Sequence, residues 1–127
     1  YANYLLNQFK IIEFKNVIVG LLPQGARKVL DILIAILGNP SIVLLDEPTS
    51  GISTDEKFLV MEHTLEAIRN LNISILFIEH DMDIIRRYSQ RVIAFYSGKI
   101  IADGIPKNVL EQKDVLKFIV GGSVVKD

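Results

Sequence analysis

The feature that most constrains this chain is an apolar run, residues 42–45, that ends directly in two adjacent carboxylates, Asp46 and Glu47. A second, nearly continuous apolar run covers residues 73–78 and is followed by His80. Short apolar runs of this kind are typical of strands that are buried in a parallel sheet. Because ligands collect at the carboxyl ends of such strands, the pattern predicts an α/β fold with Glu47 and His80 at the same edge of the sheet.

A buried strand that delivers Asp and Glu to its carboxyl end suits the Mg²⁺ and water half of a phosphoryl-transfer site. The chain contains no G-x-x-x-x-G-K-[ST] loop, whose backbone N–H groups and Lys would hold the phosphates of a nucleotide. The sequence therefore carries half of a nucleotide site. The alternative is that Asp46-Glu47-Pro48 only ends a strand and begins a loop, but the preceding apolar run and the later His80 favour the functional interpretation.

Composition excludes several other classes of protein. The 14 basic and 15 acidic residues give a net charge of −1, so no overall field favours nucleic acid. The absence of cysteine removes disulfides and thiolate metal sites, and no apolar stretch is long enough to span a membrane. Hydrophobic residues make up 50% of the chain, which suits either an aliphatic core or a fragment with an exposed apolar face.

Hydrophobic spacing and turn residues predict the order of the elements. Strands alternate with helices, as in an α/β sheet, and a Ser97-Gly98 turn then joins two strands into a hairpin. Residues 2–22 are expected to form two short helices, the first over 2–9. The remaining predicted helices cover residues 23–37, 54–70, 82–88, 106–112 and 114–120, and a Gly-Gly-Ser tail follows; the predicted strands cover 42–46, 73–78, 91–96 and 99–103.

Two segments resemble the Walker B, D-loop and switch-histidine motifs of ABC-type ATPases. They are Leu-Leu-Asp-Glu-Pro-Thr-Ser-Gly-Ile-Ser at residues 44–53 and Phe-Ile-Glu-His-Asp-Met-Asp at residues 77–83. The end of the chain, from Gly98 to Gly122, is most similar to the importer ATPases for branched-chain amino acids. The resemblance covers essentially the whole chain and corresponds to the C-terminal half of such an ATPase. It implies part of a P-loop NTPase fold, with mostly parallel strands, flanking helices and a C-terminal hairpin.

The resemblance also implies roles for individual residues. Asp46 would hold Mg²⁺ through its water shell, and Glu47 would be the general base that polarises the attacking water. His80 would be the switch histidine that contacts the γ-phosphate, although a lone histidine at a strand end is more often a surface residue. His63 has no comparable context and is expected to be a solvated helix residue.

Further contacts with nucleotide are implied around the family's signature, L-S-G-G-Q, which binds the γ-phosphate held by a partner subunit. The aligned residues here are Leu22, Pro23, Gln24, Gly25 and Ala26. Pro23 lacks both the serine hydroxyl and a backbone donor, and Ala26 lacks the usual glutamine side chain. We therefore expect weakened nucleotide binding at this segment, or none; Arg27 and Lys28 could supply cationic contacts or could simply be solvated.

Residues Ser50, Gly51 and Ser53 occupy the position of the family's D-loop, which crosses the interface between two ATPase subunits. A turn followed by a helix N-cap is the structural alternative, and both descriptions can hold together. The implied division of the chain is the end of a helical subdomain at 1–38, a RecA-like core portion at 39–105, and C-terminal helices with a tail at 106–127.

The resemblance implies the C-terminal portion of the ATP-hydrolysing subunit of an importer, using ATP and Mg²⁺ and inactive without a phosphate-binding loop. Its partners would be a second ABC ATPase subunit and transmembrane permease subunits, with no nucleic acid, at the inner face of the cell membrane. The alternative is a non-catalytic module that acts by pairing with a partner subunit. An ABC-type ATPase of DNA repair is disfavoured by the near-neutral charge. In each case we expect the sheet to expose an apolar face or an unpaired edge.

Overall fold

The computed structural model describes residues 1–119 and 121, which form two compact units, Tyr1–Glu79 and the chain from His80 onward. Val120, the predicted end of the last helix, lies outside the described residues. So do Gly122 and Ser123 of the predicted tail.

The first unit contains three helices and two strands. In chain order they are α1 Ala2–Gln8, α2 Gln24–Ile36, β1 Ile42–Asp46, α3 Thr54–Asn70 and β2 Ser74–Ile78. Residues 10–22, where a second short helix was predicted, contain two single 3₁₀ turns, Ile12–Phe14 and Val19–Leu21. Among residues 1–119, no helix is long and apolar enough to cross a membrane.

The two long helices begin where local chemistry favours helix formation. Pro23 precedes α2 with φ −52°, and its carbonyl accepts the N–H of Arg27 at 3.0 Å. Ser53 caps α3 by accepting the N–H of Glu56, and its hydroxyl also contacts the Glu56 carboxylate at 2.9 Å. Such a cap stabilises a helix by roughly 1 kcal/mol, so α3 starts where the sequence predicted.

Strands β1 and β2 pair in parallel, with Ile42 opposite Ser74 and Asp46 opposite Ile78. Because side chains alternate along a strand, every second residue shares a face of this sheet. One face, which carries Val43, packs against the core of the unit. The other face is apolar and exposed, as the sequence predicted; its side chains are Ile42, Leu44, Leu76 and Ile78.

The core of the first unit lies between the sheet and the helices. It combines the buried sides of α1, α2 and α3 with the inner face of the sheet. Phe9 and Leu5 anchor the N-terminal segment in this core, and they are 0% and 1% exposed. The buried residues of the cluster are Leu5, Phe9, Ile11, Val29, Ile32, Leu33, Ile36, Val43, Val60, Ala67, Ile68 and Ile73.

The second unit is built around an antiparallel hairpin. Its elements are α4 Met82–Tyr88, β3 Val92–Tyr96, β4 Lys99–Gly104, α5 Pro106–Leu110 and α6 Lys113–Phe118. Ser97 and Gly98 both have positive φ, 48° and 75°, which is the backbone of a tight two-residue hairpin turn. Ala94, Ala102 and Val109 belong to the small core between the hairpin and the C-terminal helices.

Arg91 and Asp103 clamp the open end of the hairpin. Nε of Arg91 donates to Oδ1 of Asp103 at 2.8 Å, and Nη2 donates to Oδ2 at 2.7 Å. The guanidinium lowers the pKa of the Asp103 carboxyl, and the carboxylate raises the pKa of Arg91. Both side chains are largely exposed, so this bidentate pair fixes strand register more than it stabilises the fold.

The structure corrects the expectation that His63 is solvated, because this side chain of α3 is partly buried. Burial lowers its pKa below the ordinary value of 6.5, and the ammonium group of Lys10 lowers it further. Glu62 and Glu66 act in the opposite direction with smaller effect. Lys10 is itself held at 2.6 Å by Glu66, which ties the end of α1 to α3.

The depressed pKa of His63 predicts a pH dependence of stability. The unfolded chain binds a proton at this position more readily than the folded chain. The contribution of His63 to the free energy of unfolding is therefore fully present above pH 6.5, and it is lost as the pH falls through the folded-state pKa. We expect His63→Gln to reduce the fall in melting temperature between pH 7 and pH 5. Thermal unfolding of both proteins across that range measures it, and an unchanged slope would contradict the assignment.

Candidate functional site

The carboxyl end of β1 carries the two predicted catalytic carboxylates. Asp46 is the last residue of the strand, is exposed, and lies on the same sheet face as Leu44. It borders a shallow depression of about 230 Å³ between β1 and α2, which is also lined by Lys28 and Asp31. The sequence predicted Asp46 at a strand end, but it did not predict that Lys28 and Asp31 of α2 lie beside it.

Glu47 begins a turn that is tied to the neighbouring strand. Its N–H donates to the carbonyl of Ile78 at 2.9 Å, and its carbonyl accepts the N–H of Ser50 at 3.0 Å. Its φ is +48°, the left-handed conformation that costs a residue with a Cβ about 1 kcal/mol. The backbone hydrogen bonds offset this strain and hold the turn against the end of β2.

The next part of the turn is held by a side chain that sequence reasoning missed. Thr49 is 7% exposed, and both its N–H and its hydroxyl donate to Oε1 of Glu79, at 2.9 and 2.6 Å. Glu79 directly follows β2 and precedes His80. No spacing rule could identify this contact, because it depends on the register of β1 and β2 across 30 residues.

The predicted D-loop segment contacts the start of α2. Nζ of Lys28 donates to the hydroxyl of Ser50 at 3.2 Å, so this cation is not simply solvated. Gly51 has φ +74°, and a Cβ built on it would lie 2.8 Å from Nε2 of Gln24. The structure therefore brings the predicted D-loop residues to the start of α2, Ser50 to Lys28 and Gly51 to Gln24. Ser53, the third predicted residue here, is the N-cap of α3.

The predicted signature segment forms the first turn of α2. Pro23 and Gln24 are exposed and Ala26 is partly buried, whereas Gly25 is buried against α3. A Cβ on Gly25 would lie 3.3 Å from Cγ2 of Val60, so a small residue allows the two helices to approach closely. Gly25 therefore has a packing role beside the predicted contact with nucleotide.

Arg27 stabilises the loop that leads into α2. Its Nη2 donates to the carbonyls of Gly20 and Leu22, at 3.2 and 3.5 Å. The guanidinium thus holds the preceding 3₁₀ turn against the helix start. These hydrogen bonds give Arg27 a structural role that requires no bound ligand.

His80 is the first residue of the second unit and is exposed. It precedes Asp81, whose carboxylate caps α4 by accepting the N–H groups of Asp83 and Ile84 at 2.9 and 3.3 Å. The start of α4 is therefore well defined. The expected proximity of His80 to Glu47 stays a prediction.

The residues at the end of β1 fit a magnesium ion that takes most of its ligands from water and phosphate. Mg²⁺ usually binds through one or two carboxylates, and Asp46 presents one at an exposed strand end. Within residues 1–119, no cluster of three acidic or histidine side chains could enclose a metal by itself. A single exposed carboxylate suits a metal ion that takes its other ligands from water and phosphate.

Comparison with known proteins identifies the class of molecule. No protein-family model matches the chain. The crystal structure of an ABC-transporter ATP-binding cassette in its ADP conformation superposes with a TM-score of 0.84 and 30% identity, over 94% of this chain and 48% of that one. The fold is that of an ABC ATPase cassette, a P-loop NTPase, and is consistent with its C-terminal part. The predicted fold class is confirmed.

The curated relatives include ATP-binding proteins of amino acid transporters. The chain is 30% identical over 121 residues to the branched-chain amino acid transport ATP-binding protein BraF of Pseudomonas aeruginosa, covering 95% of this chain and 48% of BraF. It is 32% identical over 123 residues to a probable protein of the same kind, LivG of Methanocaldococcus jannaschii, covering 89% of this chain and 48% of LivG. Its homologues are thus ATP-binding proteins of ABC transporters. The chain spans about half the length of these relatives.

Proposed function

We propose that this chain is the C-terminal portion of the ATP-hydrolysing subunit of an ABC importer for branched-chain amino acids. The observation that carries the proposal is the end of β1, where Asp46 is the last residue of the strand and Glu47 begins a turn that is hydrogen-bonded to β2. The homology to ABC transporter ATP-binding proteins supports ATP as the bound nucleotide. Relatives such as BraF support branched-chain amino acids as the transported solute.

In this proposal Asp46, Glu47 and His80 have separate roles. Asp46 orients the water shell of Mg²⁺, which neutralises charge on the phosphates when it is bound with ATP. Glu47 accepts a proton from the attacking water, and His80 contacts the γ-phosphate. The fixed backbone turn at Glu47 supports this assignment, because phosphoryl transfer depends mainly on positioning.

Two exposed segments would serve a nucleotide bound by a second ATPase subunit. Residues 23–26 offer the N-terminus of α2, and Ser50 and Gly51 lie beside it through contacts with Lys28 and Gln24. Because Pro23 has no N–H and Gly25 is buried, we infer that the N-terminus of α2 binds phosphate more weakly than an L-S-G-G-Q segment does.

The complete subunit would pair with a second ABC ATPase subunit and with permease subunits, at the inner face of the cell membrane. The printed sequence lacks the G-x-x-x-x-G-K-[ST] loop, so we infer that this chain alone does not hydrolyse ATP. We also propose the division into the end of a helical subdomain at 1–38, a RecA-like core portion at 39–105, and C-terminal helices with a tail at 106–127.

The experiment that tests the proposal is Mg²⁺-dependent ATP hydrolysis by the complete subunit. We expect Asp46→Asn to raise the Mg²⁺ concentration needed for half-maximal rate roughly 10- to 100-fold, because an outer-shell carboxylate orients the metal's ligands. Asp31→Asn, an exposed carboxylate beside the same depression, is the matched control and should change this concentration little. Absence of Mg²⁺-dependent hydrolysis in the parent subunit would overturn the proposal.

A second candidate function is a non-catalytic module that acts by pairing with a partner subunit. The altered signature at residues 23–26 favours it. The intact mass of the native polypeptide separates the two functions. A mass near twice the 14.3 kDa of this chain supports the catalytic subunit, and a mass near 14.3 kDa supports the module.

A further inference from the structure

Glu79 and Thr49 form a contact for which the proposed roles of Asp46, Glu47 and His80 give no reason. Thr49 uses both its N–H and its hydroxyl on one carboxylate oxygen, at 2.9 and 2.6 Å. Hydrogen bonds to a carboxylate are stronger than those between neutral groups, and the contact between Thr49 and Glu79 is partly buried. The contact is therefore a strong local restraint on the turn.

The position of the contact gives it significance. Thr49 lies two residues after Glu47, and Glu79 directly precedes His80 in the sequence. The turn at Glu47 is already fastened once to the end of β2, by its N–H on the carbonyl of Ile78 at 2.9 Å. The bond from Thr49 to Glu79 is a second fastening, one residue further along the chain that leads to His80.

The hydrogen bonds of Glu47 to Ile78 and of Thr49 to Glu79 together restrain a motion of the turn that the first bond alone would allow. The N–H of Glu47 fixes the start of the turn, but rotation about the following bonds could still move the Glu47 side chain. Holding Thr49 fixes the other end of the same short segment, and the Ser50 N–H bond to the Glu47 carbonyl at 3.0 Å closes it. The left-handed backbone of Glu47, φ +48°, is thereby kept in one conformation.

We propose that Glu79 is a positioning residue that, through Thr49, holds the Glu47 turn against the end of β2. Glu79 acts by fixing the backbone on which the proposed general base, Glu47, is carried. This inference rests on the proposed function. It adds a specific requirement: a hydrogen-bond donor at position 49 and a carboxylate at position 79 must act together.

The test uses the complete subunit and measures kcat and KM for Mg²⁺-ATP. We expect Thr49→Val and Glu79→Ala each to lower kcat roughly 10- to 100-fold with little change in KM, since a small displacement of a catalytic group has effects of this size. Thr49→Ser keeps the hydroxyl and should restore most of the rate. The double variant should be no worse than the more damaged single variant, because both changes break one unit.

Controls separate this inference from the proposed function and from loss of folding. Glu62→Gln changes an exposed glutamate of α3 and should leave kcat unchanged. A role in stability alone would lower the melting temperature of Thr49→Val while kcat per folded molecule stayed at the parent value, and that result would overturn the inference. Additive losses in the double variant would also overturn it. A parent subunit that does not hydrolyse ATP would overturn the proposed function, and the inference with it.

Discussion

Glu47→Gln in the complete subunit is expected to reduce ATP hydrolysis at least about 100-fold while leaving Mg²⁺-ATP binding near its parent value. Removal of a general base typically costs a factor of this size, and the amide keeps the shape of the side chain while losing its ability to accept a proton. The backbone bonds to Ile78 and Ser50 do not involve the carboxylate, so the turn should persist.

Steady-state hydrolysis and equilibrium nucleotide binding, measured on the same preparations, test this expectation. Glu62→Gln is the matched control, since it makes the same chemical change at an exposed position of α3. Undiminished hydrolysis by Glu47→Gln would remove Glu47 from its proposed role, and loss of nucleotide binding would show that it acts before the chemical step.

The second large effect concerns stability. Phe9 is 0% exposed and belongs to the core that joins α1 to α2, α3 and the inner face of the sheet. We expect Phe9→Ala to lower the free energy of unfolding of the first unit by about 3–5 kcal/mol, through lost burial and the cavity that remains. Because domains are stable by only about 5–15 kcal/mol, this loss should partly unfold the unit at 37 °C.

Chemical denaturation followed by circular dichroism measures the change. Leu21→Ala provides a control in the same unit, because Leu21 is also a large apolar residue but is 74% exposed. It should change the free energy of unfolding by less than about 0.5 kcal/mol. Equal effects of the two substitutions would mean that α1 is not anchored through Phe9.

The arrangement of the first unit was largely predictable because its signals are local. Apolar runs bounded by turn residues identified β1 and β2, and helical spacing with Ser53 as the cap identified α3. The order of strand and helix then implied a parallel pair, which the register from Ile42 to Asp46 confirms. The carboxylates followed as the residues at the end of β1.

The features that sequence did not reveal depend on contacts between distant residues. Glu79 carries no sequence signal of its own, and only the pairing of β1 with β2 brings it to Thr49. Gly25 was assigned to nucleotide binding alone, since its packing on Val60 requires knowledge of how α2 meets α3. His63 was expected to be solvated because helical periodicity does not report the nearby Lys10.

We propose that this chain supplies the hydrolytic residues of an ATP site whose phosphate-binding loop lies elsewhere in the complete subunit. Equilibrium binding of Mg²⁺-ATP, measured for the chain alone and for the complete subunit, tests it most directly. We expect no saturable binding to the chain alone and clear binding once the segment with the loop is present. Tight binding to the chain alone, or none to the complete subunit, would contradict it.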